Sequence, residues 1–212
     1  AEPAKAADFA SADLVVAADG ANSRTRASFA EYFQPTVVTG RNYYIWLGTR
    51  KLFNNFTFAF EHTPAGWVWL HGYRFTDELS TCILECAPET WHGLGLDEME
   101  LDEGLELMRK VFSRELDGHE LINQSGPSGK LPWQQFNDIT NQHWYYRNIV
   151  LMGDAAHTSH FSIGSGTKLA MEDAIGLDRA MNRHPQLTDA LAAYQAERSV
   201  AVEQRQREAR AS

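Results

Sequence analysis

The feature that most restricts this chain is a block of four aromatic β-runs between residues 42 and 86: "NYYIWLGT", "FTFAFEH", "GWVWLHGYRF" and "STCILEC". Turn signals separate them at Asn54-Asn55, Pro64-Ala65-Gly66 and Thr76-Asp77. Side chains alternate along a strand, so Phe56, Phe58 and Phe60 share one face of the second run. Trp67, Trp69, His71, Tyr73 and Phe75 share one face of the third. The pattern predicts an antiparallel sheet with one large aromatic face.

Other elements flank it. "DLVVAADG" at 13–20 reads as a buried strand entering a turn, and "ANSRTRASFAEYF" as a short, partly helical segment. Asp97 is a candidate N-cap with Glu100 three residues on, and Leu101, Leu105, Met108 and Phe112 keep helical spacing. "INQSGPSGKLP" at 122–132 reads as a loop. Its apparent phosphate-loop motif is a decoy, with Gln124 and Leu131 where a glycine and a Ser/Thr belong. "HWYYRNIVLMGD" at 143–154 is apolar on both faces near its end and reads as a central strand. Two helices follow, one striped by Ala170, Ala174, Leu177 and Met181, the other opening after Pro185 with Leu187, Leu191 and Tyr194 on one side.

Composition removes several classes of partner. A net charge of −9 offers no footprint for nucleic acid, and no Lys/Arg cluster suits an anionic membrane surface. No apolar run approaches the roughly 18 residues that span a bilayer, and no secretory signal opens the sequence. Cys82 and Cys86 fall on one face of a strand about 13 Å apart, too far to bridge, so they are expected as buried thiols in a reducing cytoplasm. The sequons at Asn55 and Asn123 carry no weight without that signal.

The stretch "GDAAHTSHFSIGSGTKLAMEDA", residues 153–174, carries the chemistry. Gly153-Asp154 places a carboxylate at the carboxyl end of a strand, where open α/β sheets bind ligands. Gly164-Ser165-Gly166 then opens a helix near Thr167. Glycines there let backbone approach a flat ligand, and free first-turn amides with the helix dipole favour negative charge. A ligand with a polyol at one end and an acidic ring edge at the other fits this pair, as a flavin does. Two alternatives stand beside it. Gly-Asp can simply end a strand and the glycines form a turn. Asp154, His157 and His160, spaced three apart, could also gather a metal, although no HExxH arrangement supports it.

"DLVVAADGANSRTR" resembles the Asp-Gly motif of the flavin-dependent aromatic hydroxylases, the para-hydroxybenzoate hydroxylase group, through Asp19, Gly20, Ser23 and Arg26. "LMGDAAH" resembles the same family's Gly-Asp motif through Gly153 and Asp154. The segments "HFSIGSGTKLAMEDA" and "IWLGTRKLFNNFTFAF" look most like a subgroup acting on aromatic CoA thioesters, the salicylyl-CoA 5-hydroxylases and aminobenzoyl-CoA monooxygenases.

The resemblance implies an α+β or α/β flavoprotein: an aromatic-rich antiparallel substrate sheet joined to a remnant of the FAD-binding domain with C-terminal helices. The implied boundaries are 1–36 for the Asp-Gly piece, 37–140 for the substrate sheet, and 141–212 for the Gly-Asp strand, flavin loop and closing helices. Asp19 and Gly20 would lie near the pyrophosphate and help position NAD(P)H, with Arg26 supporting that loop. Asp154 would meet the flavin's ribityl or ribose region, and the amides of Thr167 and Lys168, after Gly164 and Gly166, its C2 carbonyl. His160 and Phe161 stand where many relatives carry prolines, and Lys168 where many carry asparagine. Trp46, Trp69, His71 and Tyr73 are pocket candidates by strand parity, each also explicable as core packing.

No catalytic acid–base pair is implied, because in this family the cofactor carries the hard step and the protein orients and excludes water. The family's GxGxxG unit is absent from this sequence, as though roughly 150 residues preceded it. The expected parent is an FAD-dependent, NAD(P)H-consuming monooxygenase of an aromatic acid or aromatic acyl-CoA. The chain alone is expected to hold FAD weakly, with a complementing FAD-binding segment or a second copy as partner. The alternative is a non-catalytic aromatic or acyl-CoA binding module derived from such an enzyme.

Overall fold

The computed structural model describes residues 11–123 and 129–211. The lead-in over 1–10 and the loop segment 124–128, with the first five residues of the decoy motif and part of the second sequon, lie outside them. In chain order the elements are β1 (Val15–Ala17), α1 (Arg24–Ser28), α2 (Ala30–Phe33), β2 (Pro35–Thr49), β3 (Thr57–Thr63), β4 (Gly66–Arg74) and β5 (Ser80–Cys86). Then come α3 (Pro88–Gly93), α4 (Leu101–Val111), α5 (Ser113–Leu116), β6 (Leu121–Asn123), β7 (Gln134–Asn141), β8 (Tyr145–Tyr146) and β9 (Ile149–Leu151). Two single 3-10 turns, Gly153–Ala155 and Phe161–Ile163, precede α6 (Gly166–Arg183) and α7 (Leu187–Ala211). The described residues fall into two compact units, one running to Thr39 and resuming at Asn137, the other spanning Gly40–Phe136.

In the Gly40–Phe136 unit the sheet order is β3-β4-β5-β2-β6, antiparallel at each pairing. Its two faces divide as alternation predicts. Ile45, Leu47, Val68, Leu70, Cys82, Leu84 and Cys86 point into a core completed by Met108 of α4, Phe112 and Leu116. Both cysteines are free, and burial pushes each thiol up to about 12. The opposite face carries the aromatic rows. Trp46, Ile83, His71 and Phe58 lie in register across four strands, and Tyr44, Glu85, Trp69 and Phe60 form the next row. Phe56, Phe58, Phe60, Trp46 and Trp67 are exposed, an apolar patch of the kind that marks a binding surface. Gly72 is required beneath it, because a Cβ there would meet the Phe53 ring at 2.7 Å.

One capping expectation fails. Helix α4 begins at Leu101 with Glu100 as its N-cap and no side-chain cap bond, not at Asp97. The Asp97 carboxylate is instead taken by His92 Nδ1 at 2.9 Å, and the Leu101 amide is satisfied by the Gly129 carbonyl at 3.0 Å.

In the other unit, β1 runs parallel to β9, and β8 pairs antiparallel on its far side, so β9 is central and buried, as the apolar end of the 143–154 run predicts. That run is not one strand, because the chain turns at Arg147, φ +53°, and folds back as the β8–β9 hairpin. The strand expected to be buried at 13–20 shortens to three residues at the sheet edge, where Val16 is exposed. Helices α6 and α7 pack on one another and close a core of Leu151, Trp144, Leu169, Leu177, Leu191 and Tyr194.

Candidate functional site

The site is built from the two ends of the sheet's parallel pair. After β1, Gly20 adopts φ +82°, a left-handed turn that favours glycine. The exposed Asp19 carboxylate folds over the next turn, accepting from Ser23 Oγ at 2.5 Å and the Thr25 amide at 3.0 Å. Burial would raise its pKa, but these bonds prevail and hold it below the ordinary value. Ser23 Oγ in turn accepts from the Arg26 amide at 2.9 Å, capping α1. This fixes Arg26, which is buried. Its guanidinium donates to the Ala21 carbonyl on one side and to the carbonyls of Ala155 at 2.9 Å and Asp154 at 3.5 Å on the other. One cation thus ties the Asp-Gly turn to the Gly-Asp turn, 128 residues apart at Asp154.

Gly153 follows β9 with φ +59°, and a Cβ there would sit 3.1 Å from the Ala170 Cβ of α6, so the position demands glycine twice over. Asp154, one residue on, is exposed. Gly164 is left-handed at φ +59°, and a Cβ at Gly164 or Gly166 would meet nothing within 4 Å. The α6 N-cap, Ser165, makes no side-chain cap bond, because its hydroxyl is paired with Ser159 Oγ at 2.9 Å. The first-turn amides of α6 therefore gain no side-chain cap, and the backbone before them is open to close approach. Thr167 and Lys168 are exposed there, with the Lys168 ammonium paired to Glu172 one turn on. The His160 and Phe161 rings pack 4.2 Å apart, tilted by 30°, and His160 Nδ1 caps the short turn through Ser162.

The sequence reading missed the group that holds this loop in place. Asp173 of α6 is fully buried and receives His157 Nε2 at 2.7 Å, Arg198 Nε of α7 at 2.8 Å and the Gly153 amide at 3.1 Å. Burial alone would raise its pKa, but His157, Arg198 and the Gly153 amide outweigh it and the carboxyl titrates below its usual range. Trp144 packs 5.0 Å from the His157 ring. The proposed metal trio is not brought together: His157 faces Asp173, His160 faces Ser162 and Asp154 faces outward. Among the described residues no group of three His, Cys, Asp or Glu could hold a metal ion. A spacing signal for Asp173 existed, since it lies on the inward face of α6 with Leu169, Gly176 and Leu177, where an isolated acid needs partners.

In the Gly40–Phe136 unit, Trp46 is exposed, Trp69 and Tyr73 are half-buried and His71 is buried, all on the aromatic face. Tyr73 stacks on Phe56 at 5.3 Å, and His71 meets Phe58 edge-on at 4.7 Å.

No family model matches the chain. Salicyloyl-CoA 5-hydroxylase from Streptomyces sp is 37% identical over 220 residues, covering all of this chain and 41% of that protein. A 3-hydroxy-4-methyl-anthranilyl-[aryl-carrier protein] 5-monooxygenase from Streptosporangium sibiricum is 37% identical over 202 residues, covering 94% of this chain and 52% of its own length. In sequence the chain is similar to these aromatic-group hydroxylases and monooxygenases. It spans about half the length of these curated relatives. The fold agrees: PqsL of Pseudomonas aeruginosa, described as a probable FAD-dependent monooxygenase, superposes with a TM-score of 0.66 at 21% identity, over 93% of this chain and 54% of PqsL. The relationship to the monooxygenases spans both motifs and the aromatic sheet between them, the three features that carried the resemblance in the sequence.

Proposed function

We propose that this chain forms the flavin-ring and substrate-facing portion of an FAD-dependent, NAD(P)H-consuming monooxygenase of aromatic rings, with an aromatic acid or its acyl thioester as substrate. The observation that carries the reading is the Arg26 clamp, which holds the turn after β1 and the turn after β9 as one structure, with Asp154 exposed beside them. The residues present fit a flavin. The exposed Asp154 carboxylate would accept from ribityl hydroxyls, and the amides of Thr167 and Lys168 at the positive end of α6 would receive the electron-rich edge of the ring. The open space at Gly164 and Gly166 admits a flat group against backbone. When bound, FAD supplies the redox chemistry that takes electrons from NAD(P)H and inserts an oxygen atom from O₂ into the ring.

The protein's own share is placement and dryness. The relatives' names specify salicyloyl-CoA and a carrier-bound anthranilyl group as what those proteins act on. By extension, the aromatic rows of β2, β3, β4 and β5 offer ring-on-ring contact and keep water from the reacting carbon.

Titration of the chain with FAD, followed by flavin fluorescence, tests the reading. Thr167→Pro removes one ring-facing amide, while proline remains tolerated in the first helical turn. Affinity is expected to fall about ten-fold with helix content unchanged. A chain that takes aromatic thioesters but shows no FAD binding at any concentration would favour the non-catalytic binding module.

A further inference from the structure

The aromatic face contains one group that ring packing does not explain. Glu85 stands on the central strand β5, between Tyr44 and Trp69 in register, and is 4% exposed. A carboxylate at such a place is costly unless donors hold it. Asn42 Nδ2 donates to Oε1 at 2.9 Å and Trp69 Nε1 to Oε2 at 3.0 Å, while His71 Nε2 lies 3.6 Å from Oε2. The Trp69 side chain is half-buried and stands on the exposed aromatic face, so its N–H is the donor that an incoming ring can replace.

We infer that Glu85 is the specificity-determining acceptor of this face, and that Trp69 occupies it until an aromatic ligand bearing an O–H or N–H takes the indole's place. The inference rests on the proposed reading of this face as the seat of an aromatic ring. The exchange keeps the hydrogen bonds to the carboxylate constant for a ligand with a donor. A ligand without one strips a buried acceptor of a partner and gives nothing back, which is where binding sites discriminate most strongly.

The test compares the 2-, 3- and 4-hydroxybenzoyl thioesters of N-acetylcysteamine with their methoxybenzoyl and unsubstituted benzoyl counterparts. Binding to the chain with FAD present is followed by calorimetry and tryptophan fluorescence. At one ring position the hydroxyl ligand is expected to bind at least about ten-fold more tightly than either counterpart. Glu85→Gln should cut that advantage at least about three-fold, since charge-assisted bonds are about twice as strong as neutral ones. Trp69→Phe, which keeps a ring and removes the competing N–H, should tighten the hydroxyl and benzoyl ligands alike, since neither then displaces the indole's bond to the carboxylate.

Equal binding of all ligands to the unaltered chain would overturn the inference and leave the aromatic seat standing. Binding of none would overturn both. Uniform weakening of every ligand in folded Glu85→Gln or Trp69→Phe would show a structural role instead. Should Glu85→Gln fail to fold, the ligand series on the unaltered chain decides alone.

Discussion

Asp173 shows how a single buried charge organises the candidate flavin loop. It joins β9's exit, the His157 ring and helix α7 through Gly153, His157 and Arg198. Asp173→Asn would leave the buried Arg198 guanidinium only the partly exposed Glu172 carboxylate at 3.2 Å, so we expect a loss of about 3 kcal/mol in urea unfolding. The pH dependence follows from the depressed pKa of Asp173. A carboxyl titrating lower when folded than when unfolded contributes fully above its unfolded value, near 3.8, and loses that contribution as pH falls through the lower folded value. The acid limb of the stability curve below that point should therefore be shallower in Asp173→Asn than in the unaltered chain. Acid unfolding followed by circular dichroism checks it. The motif residues Asp19, Arg26, Gly153 and Asp154 were legible in the sequence because a turn advertises itself locally. Asp173 was not, since its partners lie 16 to 25 residues away and helical spacing says only which way it faces.

At the scale of elements, the seam between α6 and α7 depends on a residue with no side chain. A Cβ at Gly176 would meet Arg198 Cδ at 2.8 Å and Cγ at 3.1 Å, and Arg198 cannot swing away while Asp173 holds it. Gly176→Ala gains about 1 kcal/mol of helix propensity and loses about 1–3 kcal/mol to overpacking. Gly176→Val forfeits most of the gain and adds bulk, so it should destabilise by roughly 2–3 kcal/mol and more than the alanine variant. Thermal melts of the pair measure the difference. The stripe of α7 was evident from its apolar spacing and the aromatic face from alternation in β3 and β4. The stripe expected on α6 was misplaced: Ala174 and Met181 are exposed, and Leu169, Asp173, Gly176, Leu177 and Ala180 face inward. The start of α4 was misplaced because Asp97 suits an N-cap by residue type, yet it spends its carboxylate on His92.

For the whole molecule, the two hydrophobic cores share no residue. Trp144 belongs to one, and Trp91 and Trp133 pack on the other. We expect Met108→Ala to lower the stability of the Gly40–Phe136 unit by about 2–5 kcal/mol, because the methionine is fully buried there. Denaturant unfolding read from single-tryptophan variants should place this loss on Trp91 and leave the Trp144 transition in position; equal shifts of both would show one cooperative unit. The sequence by itself determined what local periodicity and local turn chemistry can carry: the alternating faces of the sheet, the glycine-dependent turns, the apolar stripe of α7. Only the tertiary structure decided which groups complete one another across long stretches of chain. It set Arg26 on the carbonyls of Asp154 and Ala155, Asp173 between His157 and Arg198, and Glu85 beneath the indole of Trp69. The reason is physical: hydrophobic pattern is written residue by residue, whereas the partner of a buried polar group is chosen by the packing that brings distant segments within about 3 Å.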